Sequence, residues 1–245
     1  MEAVAKAPAD GYTICACTPL VVINEFLQPD PTFRGRDFTG IGGIAAPASV
    51  FVVPPSLPVH TMKEFADYAR ARPEQLNVPN PGTGSSIHLG QEMFFATTGI
   101  EVQLVGYKGQ PPLIPDMIQN QLQFAMVSLS LVLPHIKAGR LRALAVNAQA
   151  RTLSLPDVPT IIEAGYPQAL VLSWYGLAAP AATPAPVIAW LARELQKVMA
   201  RPETKTTLEG LDAQILPLDA AAFNTLMLQE ASRWSKLIRE RNIKA

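Results

Sequence analysis

"FTGIGGIAAPASVFVVPPSLP" (residues 38–58) is apolar over its whole length yet too rich in glycine and proline to be a helix. It reads as extended chain. A second stretch of the same character, "ALVLSWYGLAAP", occupies residues 169–180. The residues between them, 59–168, read as a self-contained α/β unit. The chain is therefore expected to leave one lobe, build a second and come back. We place the first lobe at 1–53 plus 174–245 and the second at 54–173. Two crossovers between α/β lobes make a hinge, and a cleft between lobes is a usual ligand site.

The alternation inside 59–168 supports this division. Thr61 and Glu64 form a capping box ahead of a helix whose apolar stripe is Met62, Phe65, Ala66 and Ala69. Strands are expected at 75–80, 101–107, 122–127 and 141–147. Helices are expected at 85–98, closed by Gly99, at 111–120, opening on prolines, and at 131–139. Strands alternating with helices at this spacing imply a parallel sheet. Thr160 and Glu163 form a second capping box, ended by Gly165.

Outside that unit, "GYTICAC" (11–17) reads as a buried strand after an Asp10-Gly11 turn, and 213–218 as another strand. Thr183 and Pro184 suit the N-cap and first position of a helix to about Met199, with Val187, Trp190, Leu191, Leu195 and Val198 inward. Asp219 starts the last helix, with Phe223, Leu226, Leu228, Trp234, Leu237 and Ile238 apolar.

Composition narrows the function classes. The 245 residues are 49% hydrophobic and 16% charged, which is a globular balance. Basic and acidic residues number 20 each, so the electrostatic footprint of a nucleic-acid binder is missing. The mild basic clusters at 137–142 and 233–244 read as solvated helix ends. No apolar run reaches membrane-spanning length, and "MEAVAKAPADGY" has no signal-peptide apolar core, which alone reads as cytoplasmic. Cys15 and Cys17 point to one face of a strand and read as two small buried thiols, neither a zinc nor a redox pair. His60, His88 and His135 have no metal-ligand spacing, and no cofactor motif is present.

The chemistry-bearing stretch is "NPGTGSSIHL" (80–89). It is not a Walker loop, a dinucleotide fingerprint or a nucleophile elbow. Two glycines and a serine-capped helix start leave backbone N–H groups and hydroxyls for an oxyanion held without covalent chemistry. The alternative is an ordinary strand-to-helix connection with a serine cap. His88 reads as a packing or hydrogen-bonding residue. "VGYKGQPP" (105–112) is a second strand-end loop and 127–130 a third. Ligands of open α/β sheets bind beyond strand carboxyl ends, so Thr83, Gly84, Ser85, Ser86, Tyr107, Lys108, Gly109, Gln110, Val127 and Ser128 could line one wall. Thr18 would face them from the other lobe. Lys108 either lends positive potential or is simply solvated.

The ordered blocks "VAKAPADGYT", "PSLPVHTMKEF", "LNVPNPGTGSSIHL", "VGYKGQPPLIPDMI", "LVLPHIKAGRLRALAV", "LPDVPTIIEAG" and "SWYGLAAPAATP" resemble the Bug-type family, the extracytoplasmic solute-binding proteins of tripartite tricarboxylate transporters. The resemblance runs from Ala3 to Lys244. It implies a type II periplasmic-binding fold of two lobes that closes on a small carboxylated solute, as a monomer in the periplasm. The partner would be a membrane permease or a sensor protein. The carboxylate would be held by N–H groups, hydroxyls and waters, with 82–86 as the anion-cradling loop of the second lobe. Two departures follow from the comparison. Family members begin earlier, with a signal peptide, a first strand and a first ligand loop, so the first lobe is expected to be incomplete at its N-terminus. Family members often carry an acidic residue where this chain has Val127, which implies a less polar solute. The rival readings are a truncated, non-binding fragment and a small α/β hydrolase-like enzyme; against the enzyme, no nucleophile, base and orienter set is marked.

Overall fold

The computed structural model describes residues 1–244. In chain order the elements are α1 (Glu2–Ala5), β1 (Cys15–Cys17), α2 (Leu20–Leu27), β2 (Phe38–Pro47), β3 (Ser49–Val53), α3 (Met62–Arg70), β4 (Asn77–Asn80), α4 (Ser86–Thr98), β5 (Gln103–Gly106), α5 (Leu113–Ile118), β6 (Ala125–Ser128), α6 (Leu129–Lys137), β7 (Arg142–Asn147), β8 (Tyr175–Pro180), α7 (Ala185–Met199), α8 (Pro202–Gly210), β9 (Ala213–Ile215) and α9 (Ala220–Glu240). They divide into two compact units, Met1–Ala46 with Ser173–Ala245, and Pro47–Leu172.

The first crossing thus falls at 46/47 and not at 53/54. The reason is strand pairing. The 38–58 stretch is two strands, and the second of them, β3, pairs with β6 and β7 of the second unit. The return crossing falls at 172/173.

The first unit carries a four-stranded sheet of order β1-β8-β2-β9. Here β8 is antiparallel to both β1 and β2. The glycines of this sheet have a steric cause. A Cβ on Gly176 would come within 2.2 Å of the Phe223 ring and 2.7 Å of the Gly42 carbonyl oxygen. Phe223, on α9, also meets Trp174 edge-on at 5.2 Å. The sheet face is bare so that α9 can lie on it. Asp219 caps α9 as expected, its carboxylate accepting from the Ala222 N–H at 2.8 Å.

Several first-unit expectations need correction. Strand β1 is only 15–17, because Tyr12 and Ile14 are exposed and unpaired turn precedes it. Helix α7 starts one residue later than Thr183-Pro184 implies: Pro184 is the N-cap, and the Thr183 hydroxyl is buried with no partner among the described residues. Its inner face is also rotated. Ile188 and Met199 are buried, whereas Trp190 is 53% exposed and Val198 is exposed. On α9, Leu228 is 73% exposed. Helices α2 and α8 were not anticipated. The first lacks a side-chain cap and buries a near-continuous run in place of a spaced stripe, and the second opens on Pro202 and Glu203 but buries no residue, so each lacks one of the two signals a helix shows in sequence.

The second unit has two sheets, β6-β3-β7 and β4-β5. The expected parallel sheet is found in part: β4 and β5 pair in parallel, while β6 and β7 run the same way as each other but are separated by β3, which is antiparallel to both. Strand β3 enters from the crossover without a preceding helix, so no βαβ rule applies to it. Its alternating residues feed two cores. Phe51 joins a cluster with Phe65, Phe94, Phe95 and Phe124, while Val50 and Val52 join one with Leu113, Met117 and Val132. The aromatic rings stack, with Phe65 and Phe124 centroids 4.0 Å apart and 9° from parallel.

Sequence signals read well here. Helix α3 buries Met62, Phe65, Ala66 and Ala69, and Thr61 Oγ1 accepts from the Glu64 N–H at 3.1 Å. The Thr160–Glu163 box also forms in both directions, but the chain makes only turns there before Gly165 in left-handed backbone. A cap satisfies donors; it does not supply the buried stripe a helix needs.

Candidate functional site

Strands β4 and β5 are parallel, so the loops that leave their carboxyl ends emerge side by side. The pair ends at Asn80 opposite Gly106, and the Tyr107 N–H donates to the Asn80 carbonyl at 2.9 Å. This places the 80–86 and 107–110 loops together. The third loop is tied in by Gln110, whose Oε1 accepts from the Ser128 N–H at 2.7 Å. Three of the expected segments therefore share one end of the second unit. Thr18 lies on the first unit, where its carbonyl accepts from the Val21 N–H at the start of α2.

The 80–86 loop is built by its own side chains. The Asn80 carboxamide accepts from the Gly82 N–H at 3.1 Å and donates to Thr83 Oγ1 at 3.2 Å. Gly82 and Gly84 both have positive φ, 143° and 77°, which a side chain would resist. Ser85 is the N-cap of α4, its Oγ accepting from the His88 N–H at 3.2 Å. The Ser85 N–H is used by the Gly82 carbonyl, and the Gly84 N–H by His88 Nδ1 at 3.3 Å. Among the described residues, the N–H groups of Thr83, Ser86 and Ile87 have no protein partner. These donors stand at the positive end of a thirteen-residue helix.

The remaining candidates divide by role. Ser128 is the N-cap of α6 and makes no side-chain capping bond, so its hydroxyl is uncommitted among the described residues. Lys108 is exposed, and Gly109 has φ of 93°. Tyr107 is half-buried, and its hydroxyl donates to the Asp116 carboxylate. Burial and that carboxylate push the phenol up to about 12, so Tyr107 stays neutral, and both its hydroxyl and its N–H are committed within the unit. Val127 is a correction: it is fully buried in the cluster with Val50 and Leu113, opposite Val50 across the β3–β6 ladder. Its side chain belongs to the core, so it has no wall to line.

Two positioning residues were not anticipated. Gln91, fully buried in α4, donates to the Pro79 carbonyl at 2.8 Å and accepts from the Met126 N–H at 2.9 Å, joining β4, α4 and β6. Asn147, at the end of β7, accepts from the Val171 N–H and donates to the Ala169 carbonyl. An amide closing the apolar run 143–146 is the sequence signal for Asn147; Gln91, beside Glu92, has none. Asn80 announces itself in the turn dipeptide that begins "NPG".

Outside the loops, burial raises both thiols, Cys17 to about 12; Cys17 is buried as expected, whereas Cys15 is only half-buried. Among the described residues no group of three His, Cys, Asp or Glu is arranged to hold a metal ion, and no helix is long and apolar enough to cross a membrane. Two grooves of about 270 and 310 Å³ lie in the first unit, and no candidate residue lines either.

A discontinuous α/β unit with a second one inserted into it is the architecture of a two-unit solute-binding receptor. Known proteins agree. The sequence pattern described as tripartite tricarboxylate transporter family receptor matches residues 1–243, and the chain belongs to that family. A Pseudomonas sp. (strain P51) protein, the UPF0065 protein in the tcbD-tcbE intergenic region, is 33% identical over 246 residues, spanning 100% of this chain and 73% of its own. The structure of the periplasmic binding protein BugD superposes with a TM-score of 0.82 at 26% identity, covering 99% of this chain and 82% of that one. The R. palustris protein Rpa4515, solved with adipate, superposes with a TM-score of 0.85 at 30% identity, with the same coverage. The family is one of solute receptors and not of enzymes.

Proposed function

We propose that this receptor captures a small organic acid in the periplasm, and that a carboxylate of the solute sits against the loop cluster of the second unit. The observation that carries the placement is the set of partnerless N–H groups at Thr83, Ser86 and Ile87 beside the tethered 107–110 loop and Ser128. The proposed contacts are Thr83, Gly84, Ser85, Ser86, Tyr107, Lys108, Gly109 and Ser128, with Gly84 giving close backbone approach and Tyr107 a wall of the site, since its N–H is held by Asn80. Thr18 is a proposed contact on the first unit. The adipate bound by the R. palustris relative makes dicarboxylates the first class to try. The proposed partner is a membrane permease, which the family's description as a transporter receptor supports, with a sensor protein as the alternative.

The magnitudes are adequate. Micromolar affinity needs about 8 kcal/mol. Hydrogen bonds to a charged group contribute about 1.5–3 kcal/mol each. Three of them cover a large part before immobilisation is counted, and the rest falls on hydroxyls, waters and the solute's carbon chain.

The test is a thermal-shift and calorimetric screen against mono-, di- and tricarboxylates and amino acids. A ligand at a hundredfold over its Kd adds about 2.7 kcal/mol. Ser86→Pro then probes the placement. Residue 86 is the first helical position, where proline is tolerated, and Ser85 already has φ −65° and ψ 154°. The substitution removes one N–H without breaking α4, and Ser86→Ala controls for the hydroxyl. Binding roughly tenfold weaker in Ser86→Pro than in Ser86→Ala is expected. A melting point that no acid moves refutes the reading. An acid that binds Ser86→Pro as tightly as the native chain removes the carboxylate from this loop.

A further inference from the structure

The N-cap of α4 carries an uncommon partner. In a capping box the residue three positions on is Glu or Gln, and its side chain reaches back to a main-chain donor. Here that residue is His88. Its N–H donates to Ser85 Oγ at 3.2 Å, and its Nδ1 accepts from the Gly84 N–H at 3.3 Å. The imidazole is 2% exposed. Since Gly84 can only donate, Nδ1 must be unprotonated and the ring proton must sit on Nε2. Nε2 faces Glu92 Oε1 at 3.9 Å, one turn along. We propose that His88 is a positioning residue of the solute loop, holding Gly84 as a neutral imidazole with its proton on Nε2, and that its protonation releases the loop and weakens carboxylate capture.

The chemistry is direct. Protonated Nδ1 becomes a donor pointed at the Gly84 N–H, and two donors cannot bond. Gly84 must turn away, and the adjoining N–H groups of Thr83 and Ser86 turn with it. The charges around His88 are few. Glu92 on its own helix favours the charged ring. The elements packed against this part of α4 carry no titratable side chain: β4 is NVPN, β6 is AMVS, and the 3-10 turn at 167–169 is PQA. Arg70 of α3 reaches the far end, at the Thr98 carbonyl. Burial outweighs Glu92 and lowers the imidazole's pKa. A lowered value means the neutral loop is intact above histidine's ordinary value, about 6.5, and is lost as pH falls through the folded one.

The solute part of this inference rests on the carboxylate reading above; the tautomer part does not. The full chain, labelled with 15N-histidine, is to be followed by two-bond imidazole correlations at about pH 8 and about pH 5, either side of that ordinary value. Adipate affinity is measured alongside for the native chain, His88→Leu and His88→Gln. The expected result is an Nε2–H ring at the higher pH. Adipate affinity should fall roughly tenfold in His88→Leu, the worth of one hydrogen bond. His88→Gln, which restores the usual capping-box acceptor, should recover most of it and flatten the pH response. An Nδ1–H or charged ring at the higher pH overturns the proposal. So does a His88→Gln chain as weak as His88→Leu, or one as pH-sensitive as the native chain. If His88→Leu fails to fold, His88→Gln and the native pH profile carry the comparison. If adipate does not bind the native chain but the ring is Nε2–H and the Gly84 amide is less protected, relative to its intrinsic exchange rate, at the lower pH, the positioning role stands and the carboxylate reading falls.

Discussion

Gln91→Met tests how the candidate loops are held. Gln91 is fully buried, and its carboxamide spans two main chains: Nε2 to the Pro79 carbonyl at 2.8 Å and Oε1 to the Met126 N–H at 2.9 Å. Methionine has the same length and no strong polar atoms, so no cavity opens and only the bonds are removed. Two buried main-chain groups lose their partner. Each unsatisfied group costs about 1–3 kcal/mol, and burying an apolar side chain in place of the amide returns about 1 kcal/mol. The net loss is about 1–5 kcal/mol. At about 2–4 °C per kcal/mol for a chain of this size, the melting point should fall by several degrees. The sharper assay is amide exchange, because protection of the Met126 N–H should drop while amides of β8 and β2 keep theirs. Pro79 immediately precedes Asn80, whose side chain shapes the 80–86 loop, so solute affinity should fall as well. A Gln91→Met chain with native melting and native Met126 exchange refutes the claim that this amide fastens β4 to β6.

Three further outcomes follow from the packing and the buried ionisable groups. Gly176→Ala should destabilise the first unit by about 1–3 kcal/mol in urea denaturation, since the new methyl meets the Phe223 ring and the Gly42 carbonyl; native stability would show that α9 is not seated on bare sheet. Burial raises the carboxyl of Glu230, which accepts from Trp234 Nε1 at 2.8 Å with Arg233 at 3.8 Å, so the folded chain holds that proton more tightly than the unfolded one. Stability should then decline as pH rises from glutamate's ordinary value through the raised one and level off above it; Glu230→Gln should remove that slope in a pH series of denaturation curves, and an unchanged slope would assign it elsewhere. Cys17 should react with a thiol reagent at neutral pH only on unfolding, while half-buried Cys15 reacts slowly in the native chain; rapid labelling of Cys17 in a Cys15→Ser native chain would contradict its burial.

The fold was legible where one signal served one purpose. Thr61, Glu64 and the stripe on α3 agree because a cap and a buried face coincide there. Thr160 and Glu163 make the same bonds without a helix, because no stripe follows. The two extended stretches located the crossings, yet the first boundary moved to 46/47, since continuous apolar chain does not say which sheet it joins. Antiparallel β3 was invisible for a similar reason: its partners β6 and β7 lie far along the chain, and local pattern carries no pairing direction.

The site was legible by loop and illegible by atom. Spacing identified three strand-end loops, and the parallel pairing of β4 with β5 together with Gln110 joins them. What sequence could not show is which donors the chain has already used. Gly84 and Ser85 spend their N–H groups internally, Tyr107 gives its hydroxyl to Asp116, and Val127 turns into the core. Donors left over after such internal claims are what a solute can use, and here they are main-chain groups on a loop whose conformation depends on neighbouring side chains. Affinity at such a loop is therefore set as much by Asn80, His88 and Gln91, which hold it in shape, as by the hydroxyls of Ser86 and Ser128. A selection for altered solute preference should return substitutions at the holding residues as well as at the hydroxyls. Changes confined to Ser86 and Ser128 would mean the loop is rigid without its buried supports.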